Sequence, residues 1–264
     1  MAIDVHASEA LRLDDHATGV SVIGSGSPLL VIHAIGLDRR MWSETARRLA
    51  ANHTVVSYDI RGHGQASTAP RATTIAQLAD DAAEVLRTTA GGAADVVGLS
   101  LGGAVAQELA LRHPAAVSNL VLCATLCKGQ PAAAERAAEA EDRGVAAQIT
   151  TTVERWFTPE FIRSRSDVIG YVTECLTAIP VDSWAATWRA LADLDTRGRL
   201  AGIGVPTKVV GGSRDVSTPP AVLRDIAERV PGAVLEILDQ RPHMLSLECP
   251  DELAAAVDPR LWRA

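Results

Sequence analysis

The 264-residue sequence predicts an α/β fold, with a mostly parallel central sheet, helices on both faces and a helical insertion. Three observations carry this. Short apolar runs alternate with segments of helical periodicity between residues 29 and 123, and again between 207 and 237. From 126 to 195 the apolar runs stop and helical patterning alone remains. At 47% hydrophobic, the chain has the apolar content to bury one core of this size.

Residues 8–28 read as short strands with turn residues, among them Gly24-Ser25-Gly26-Ser27-Pro28. Leu29-Leu30-Val31-Ile32 is a compact apolar run, as expected of a strand buried on both faces. Trp42, Ala46 and Leu49 give residues 38–51 a helical spacing, Thr54–Tyr58 is the next strand, and 74–89 the next helix. Asp95-Val96-Val97-Gly98 is a strand running straight into an Ala-rich helix at 102–112, and Asn119–Cys123 is a further strand. After the insertion come the strand Thr207–Val210, a helix at 219–229 and the strand Ala233–Ile237. The expected division is a core of residues 1–125 and 196–264 with a helical cap of 126–195. A cap over the carboxyl ends of the strands would enclose a pocket where open α/β sheets bind ligands. Its charged run, Glu135, Arg136, Glu139, Glu141, Asp142 and Arg143, reads as the solvated face of a cap helix.

A net charge of −7 argues against nucleic acid or an anionic membrane as the main partner. No stretch approaches the roughly 18 uninterrupted apolar residues of a membrane span. The N-terminus has no basic segment followed by an apolar one, so a soluble, cytoplasmic protein with reduced thiols is expected. Cys123 and Cys127 lack a second Cys or His pair, and no metal site is expected from them. Oligomeric state is not legible.

Gly98-Leu99-Ser100-Leu101-Gly102 matches G-x-S-x-G and stands directly between a strand and a helix. The turn is tight enough to require glycine on both sides, and it pushes the serine outward; the bland alternative is a packing turn. A serine hydroxyl attacks only when a neighbouring base takes its proton. His243, beyond the last strand, is the candidate base, and Asp215, beyond the strand before it, the acid that orients the imidazole. A surface-loop histidine and a helix-capping aspartate are the alternatives, and Asp239 is the nearest rival acid. The backbone N–H groups of Leu101 and Ile35 are the candidate oxyanion donors. His63 is read as structural, His33 as structural or a pocket-wall residue, and His6, His16, His53 and His113 as surface or helix-end residues.

With Tyr58-Asp59-Ile60-Arg61-Gly62-His63-Gly64, the serine motif and His243-Met244-Leu245-Ser246-Leu247-Glu248, the sequence resembles the α/β-hydrolases from about Pro28 to Val257. Glu154-Arg155-Trp156-Phe157-Thr158-Pro159-Glu160-Phe161 is similar to the cap segment of 3-oxoadipate enol-lactonases. That resemblance implies hydrolysis of a small carboxylated lactone or ester without a cofactor. It implies Arg155 as the carboxylate anchor, with Arg163 and Arg165 as further candidates, and Trp156 as an apolar wall; His33 and Met244 complete the expected substrate contacts. A carbon–carbon bond hydrolase or an amidase on the same residues is the alternative enzyme, and a non-catalytic ligand receptor the alternative of another class.

Overall fold

The computed structural model describes residues 9–72 and 74–262. Eight strands are present among them: β1 (Glu9–Arg12), β2 (Ala17–Ile23), β3 (Ser27–Ile32), β4 (His53–Tyr58), β5 (Ala94–Leu99), β6 (Val117–Cys123), β7 (Thr207–Gly212) and β8 (Val234–Leu238). They form one sheet in the order β1-β2-β4-β3-β5-β6-β7-β8. β1 and β2 run antiparallel, and every pairing from β4 to β8 is parallel. Each strand expected from β3 onward is present, with ends displaced by one or two residues.

The central strands owe their position to unbroken apolar sequence. Leu29 to Ile32 are completely shielded, as are Val96, Val97, Leu120 and Leu122. Each such side chain contributes about 1.5–3 kcal/mol by leaving water. Helices α1 (Ser43–Leu49), α2 (Ile75–Thr89) and α3 (Leu101–Arg112) follow β3, β4 and β5. Thr74 caps α2 by accepting from Gln77 N at 3.1 Å, and Leu78, Ala79, Ala82, Val85 and Leu86 form its buried stripe. α3 is buried over nearly its whole length, which its small residues Gly102, Gly103, Ala104, Ala106 and Ala110 permit.

Five helices separate β6 from β7: α4 (Pro131–Arg143), α5 (Ile149–Trp156), α6 (Pro159–Ser164), α7 (Ser166–Ala178) and α8 (Val181–Ala192). The chain leaves and rejoins the sheet at one place, where Gly129 N donates to Leu194 O at 2.7 Å and Thr196 N to Cys127 O at 2.9 Å. α9 (Pro220–Arg229) links β7 to β8, and α10 (Leu245–Glu248) and α11 (Pro250–Val257) close the chain. No helix among the described residues is long and apolar enough to cross a membrane.

Two histidines depart from expectation. His16 is buried beside Asp15, its Nδ1 2.8 Å from Oδ1. His53 is fully buried at the start of β4, within 3.0 Å of Ser27 Oγ and 3.2 Å of Asp258 Oδ1. Its partners come from other segments, one of them at the far end of the chain, so local sequence placed it at the surface. His113 does end a helix, α3, and meets Asp80. His6 lies outside the described residues.

Candidate active site

Four loops at the carboxyl ends of β3, β5, β7 and β8 meet on one side of the sheet and bring together residues far apart in sequence. Ser100 occupies the turn between β5 and α3 with φ 57° and ψ −113°, the left-handed half of conformational space that a non-glycine residue adopts only under constraint. Its N–H donates to Cys123 O at 2.9 Å, and its carbonyl accepts from Gly103 N and Ala104 N. Glycine flanks it for lack of room. A Cβ on Gly98 would stand 2.1 Å from Gly102 O, and one on Gly102 2.1 Å from Ile32 O.

His243 Nε2 lies 3.1 Å from Ser100 Oγ, and His243 Nδ1 lies 2.8 Å from Asp215 Oδ2. Asp215 is fixed from its other side. Oδ1 accepts from Ser217 N and Thr218 N at 2.7 and 2.9 Å, and Oδ2 from the Thr218 hydroxyl at 2.6 Å. Burial works to raise the carboxyl pKa, but His243 and the Thr218 donors outweigh it and hold Asp215 below its ordinary value. A charged carboxylate at Nδ1 leaves Nε2 free to accept a proton from the serine hydroxyl. Asp239, the rival acid, instead accepts from Ser213 Oγ on an exposed loop.

The loop after β3 carries Ile35, which faces the same cavity as Ser100 and Leu101. Neither the Ile35 nor the Leu101 N–H has a carbonyl acceptor among the described residues, as two donors reserved for a developing oxyanion require. His33 holds this loop. It is completely buried and does not line the cavity, where the sequence had offered it as a substrate contact. Its Nε2 accepts from Ile60 N at 2.8 Å, and its Nδ1 donates to Ala34 O at 2.8 Å.

His63 packs edge-on against His33, 5.3 Å between centroids. Burial lowers the pKa of His33 to about 4 and that of His63 to about 3, against an ordinary 6.5. In the unfolded chain both take up protons near the ordinary value, so between there and the folded values the unfolded state binds more protons. Their stabilisation is complete above pH 6.5 and declines as pH falls toward 4 for His33 and toward 3 for His63. Urea midpoints are expected to drop steadily between pH 7.5 and 5; a flat profile would mean that these imidazoles are not held neutral.

The cavity has a volume of about 100 Å³. Besides Ser100, His243, Ile35 and Leu101, its wall includes Arg136, Arg155, Trp156, Trp188, Ser217 and Thr218. Trp156 and Arg155 are therefore both part of this wall. Met244 does not: its side chain is fully buried away from the cavity, and its N–H donates to Trp156 O at 3.1 Å. Arg163 and Arg165 are also elsewhere, paired with Glu160 and Asp167. Phe157 packs parallel to Phe161 at 5.3 Å. A larger cavity of about 350 Å³ is lined by Asp38, Arg40, His63 and Glu174 but contains none of Ser100, His243 or Asp215. Its Arg40 is already matched with Asp38 and Glu174.

The sequence profile of the alpha/beta hydrolase family matches residues 29–256. The chain belongs to that family. This hydrolase is 28% identical over 262 residues to a 3-oxoadipate enol-lactonase of Acinetobacter baylyi, covering 98% of each chain. It is 29% identical to a pimeloyl-[acyl-carrier protein] methyl ester esterase of Chromobacterium violaceum, over 92% of this chain and 97% of that one. The crystal structure of the enol-lactonase of Burkholderia xenovorans superposes with a TM-score of 0.89 at 26% identity, covering 94% and 98% of the two chains.

Sequence reasoning missed two features of the hydrolase's site. Thr218 orders Asp215 through two hydrogen bonds, from its N–H and its hydroxyl, and the Asp-x-x-Thr spacing of a side-chain-capped turn was the available signal. Arg136 was assigned to solvent, yet it falls on the α4 face of Ala133, Ala137 and Ala140, all buried. Helical periodicity through the charged run would have found it.

Proposed function

We propose that the chain is a serine hydrolase that opens a small carboxylated lactone or ester, 3-oxoadipate enol-lactone being the best match, through an acyl-enzyme on Ser100. That it hydrolyses an ester or lactone bond accords with its family and with the lactonase and esterase among its relatives. The observation that carries the finer reading is the cavity itself, in which a serine–histidine–aspartate chain faces the unpaired guanidinium of Arg155.

In this mechanism Ser100 Oγ bonds to the carbonyl carbon while its proton passes to His243 Nε2. The Ile35 and Leu101 N–H groups hold the oxyanion. Collapse breaks the carbon–oxygen bond to the leaving group, which takes the proton from His243. Water then attacks the acyl carbon, His243 removes its proton, and Ser100 recovers the hydroxyl as the acid departs. Residues 126–195 act as a cap that supplies the specificity wall, with Trp156 as its apolar part. Arg155 Nη2 is buried without an acceptor, and burial lowers the Arg155 pKa to about 10, with Arg136 adding to the shift and Asp215 opposing it. A substrate carboxylate would answer that unsatisfied donor.

Turnover of 3-oxoadipate enol-lactone with kcat/KM of about 10⁴ M⁻¹s⁻¹ or above is expected. Slow turnover, with aryl esters still cleaved, would discard the enol-lactone and leave the methyl-ester relative as the guide to an open-chain ester. Arg155→Ala is expected to raise KM for an acidic substrate about tenfold or more, through loss of a charge-assisted contact. An equal rise for neutral esters would rule out carboxylate anchoring.

A further inference from the structure

Most arginines of this chain meet a carboxylate. Arg39 pairs with Asp59, Arg61 with Asp15 and Asp81, and Arg189 with Glu141. Arg136 and Arg155 do not: neither has an ion-pair partner among the described residues, and both line the cavity of Ser100. In a chain of net charge −7, the wall of this one cavity carries two guanidiniums and no carboxylate.

Arg136 is held there by a built platform. Its guanidinium carbon sits 4.9 Å from the centre of the Trp188 ring, within cation–π range. Trp188 meets Trp184 edge-on, 5.6 Å between centroids at 84°. Trp184 is almost completely buried, and its Nε1–H donates to Gln148 Oε1 at 3.0 Å. The same Gln148 side chain donates from Nε2 to the carbonyl of Arg136 at 2.8 Å. Backbone and guanidinium of Arg136 are thus fixed from two sides by one chain of contacts. A solvated surface arginine has no need of such a support.

The charges define what fits. Two guanidiniums face the cavity, and one carboxylate, Asp215, stands behind His243 and favours the charged form of Arg155. The sum is one uncompensated positive charge. A ligand with one negative charge closes it. Passing a proton from Ser100 to His243 then creates an oxyanion and an imidazolium together, so the site stays neutral through the reaction.

We infer that Arg136 and Arg155 together clamp a single carboxylate of the substrate, and that Arg136 is a specificity-determining residue selecting a monoanionic acyl group over a neutral one. This rests on Ser100 being the nucleophile, and it adds to that reading a second cation and a charge for the substrate.

Two esters of equal acyl length, p-nitrophenyl hydrogen glutarate and p-nitrophenyl valerate, test it in the full-length protein. The kcat/KM ratio of glutarate to valerate ester is expected to exceed one and to fall about tenfold or more in Arg136→Met, chiefly through KM. Arg136→Lys should recover part of the loss. Arg136→Gln, which removes the charge but keeps a polar hydrogen-bonding side chain, serves as a further variant, and circular dichroism verifies the fold of each. An unchanged ratio, or equal losses on the two esters, would overturn the inference. The unsubstituted protein gives an independent readout: butyrate should inhibit competitively and butyramide far less, and equal inhibition would also overturn it. If instead Ser100→Ala cleaves both esters as fast as the unsubstituted protein, the nucleophile reading fails, and the glutarate-to-valerate ratio still reports on Arg136 by itself.

Discussion

Ser100→Ala is expected to lower kcat on the order of 10⁶-fold, the scale seen when a serine nucleophile is removed from such a relay. The fold should persist, because what holds the turn is backbone: the Ser100 N–H to Cys123 O, and Ser100 O to Gly103 N, Ala104 N and the Thr125 hydroxyl. Steady-state kinetics with a fold check by circular dichroism would establish both halves. Near-normal turnover would move the nucleophile to another hydroxyl of the cavity wall. Ser217 would be the first to examine, since Thr125 and Thr218 already donate, to Ser100 O and Asp215 Oδ2.

Asp215→Asn is expected to cost about 10⁴-fold in kcat, for a reason visible in its contacts. Oδ1 of Asp215 accepts from two backbone N–H groups, so an asparagine would keep its oxygen there. Its NH₂ would then replace Oδ2 and donate to His243 Nδ1. The proton of the neutral imidazole would move to Nε2, toward Ser100 Oγ, where a lone pair is needed. Activity close to normal, measured at the same pH, would mean that another acid orients His243. Asp239 is too far engaged with Ser213 to be a ready substitute.

The sheet was legible because its strands are buried on both faces, and runs such as Leu29–Ile32 admit few other readings. The serine turn was legible because steric exclusion at Gly98 and Gly102 leaves a signature in the sequence itself. Asp215 and His243 followed from their places beyond β7 and β8. What sequence concealed were contacts between distant segments. His53 is buried by Asp258, and His33 is turned from the cavity toward Ile60 N. Arg136 was hidden differently: a run rich in charge looks solvated as a whole, although one residue of it lies on the buried side of the helix.

Trp156 forms part of the cavity wall, and its carbonyl accepts from the N–H of Met244, the neighbour of His243. Two residues further on, Thr158 binds Glu248 through its N–H and its hydroxyl, at 3.1 and 2.6 Å. The cavity wall at Trp156 and the loop that carries His243 are therefore one mechanical unit. A substitution that reshapes the wall by displacing the Trp156 backbone also drags His243. In a lineage drifting toward new substrates, changes at this corner would be penalised in turnover, and the adaptable positions would be the wall residues of α4 and α8, which this tether does not hold.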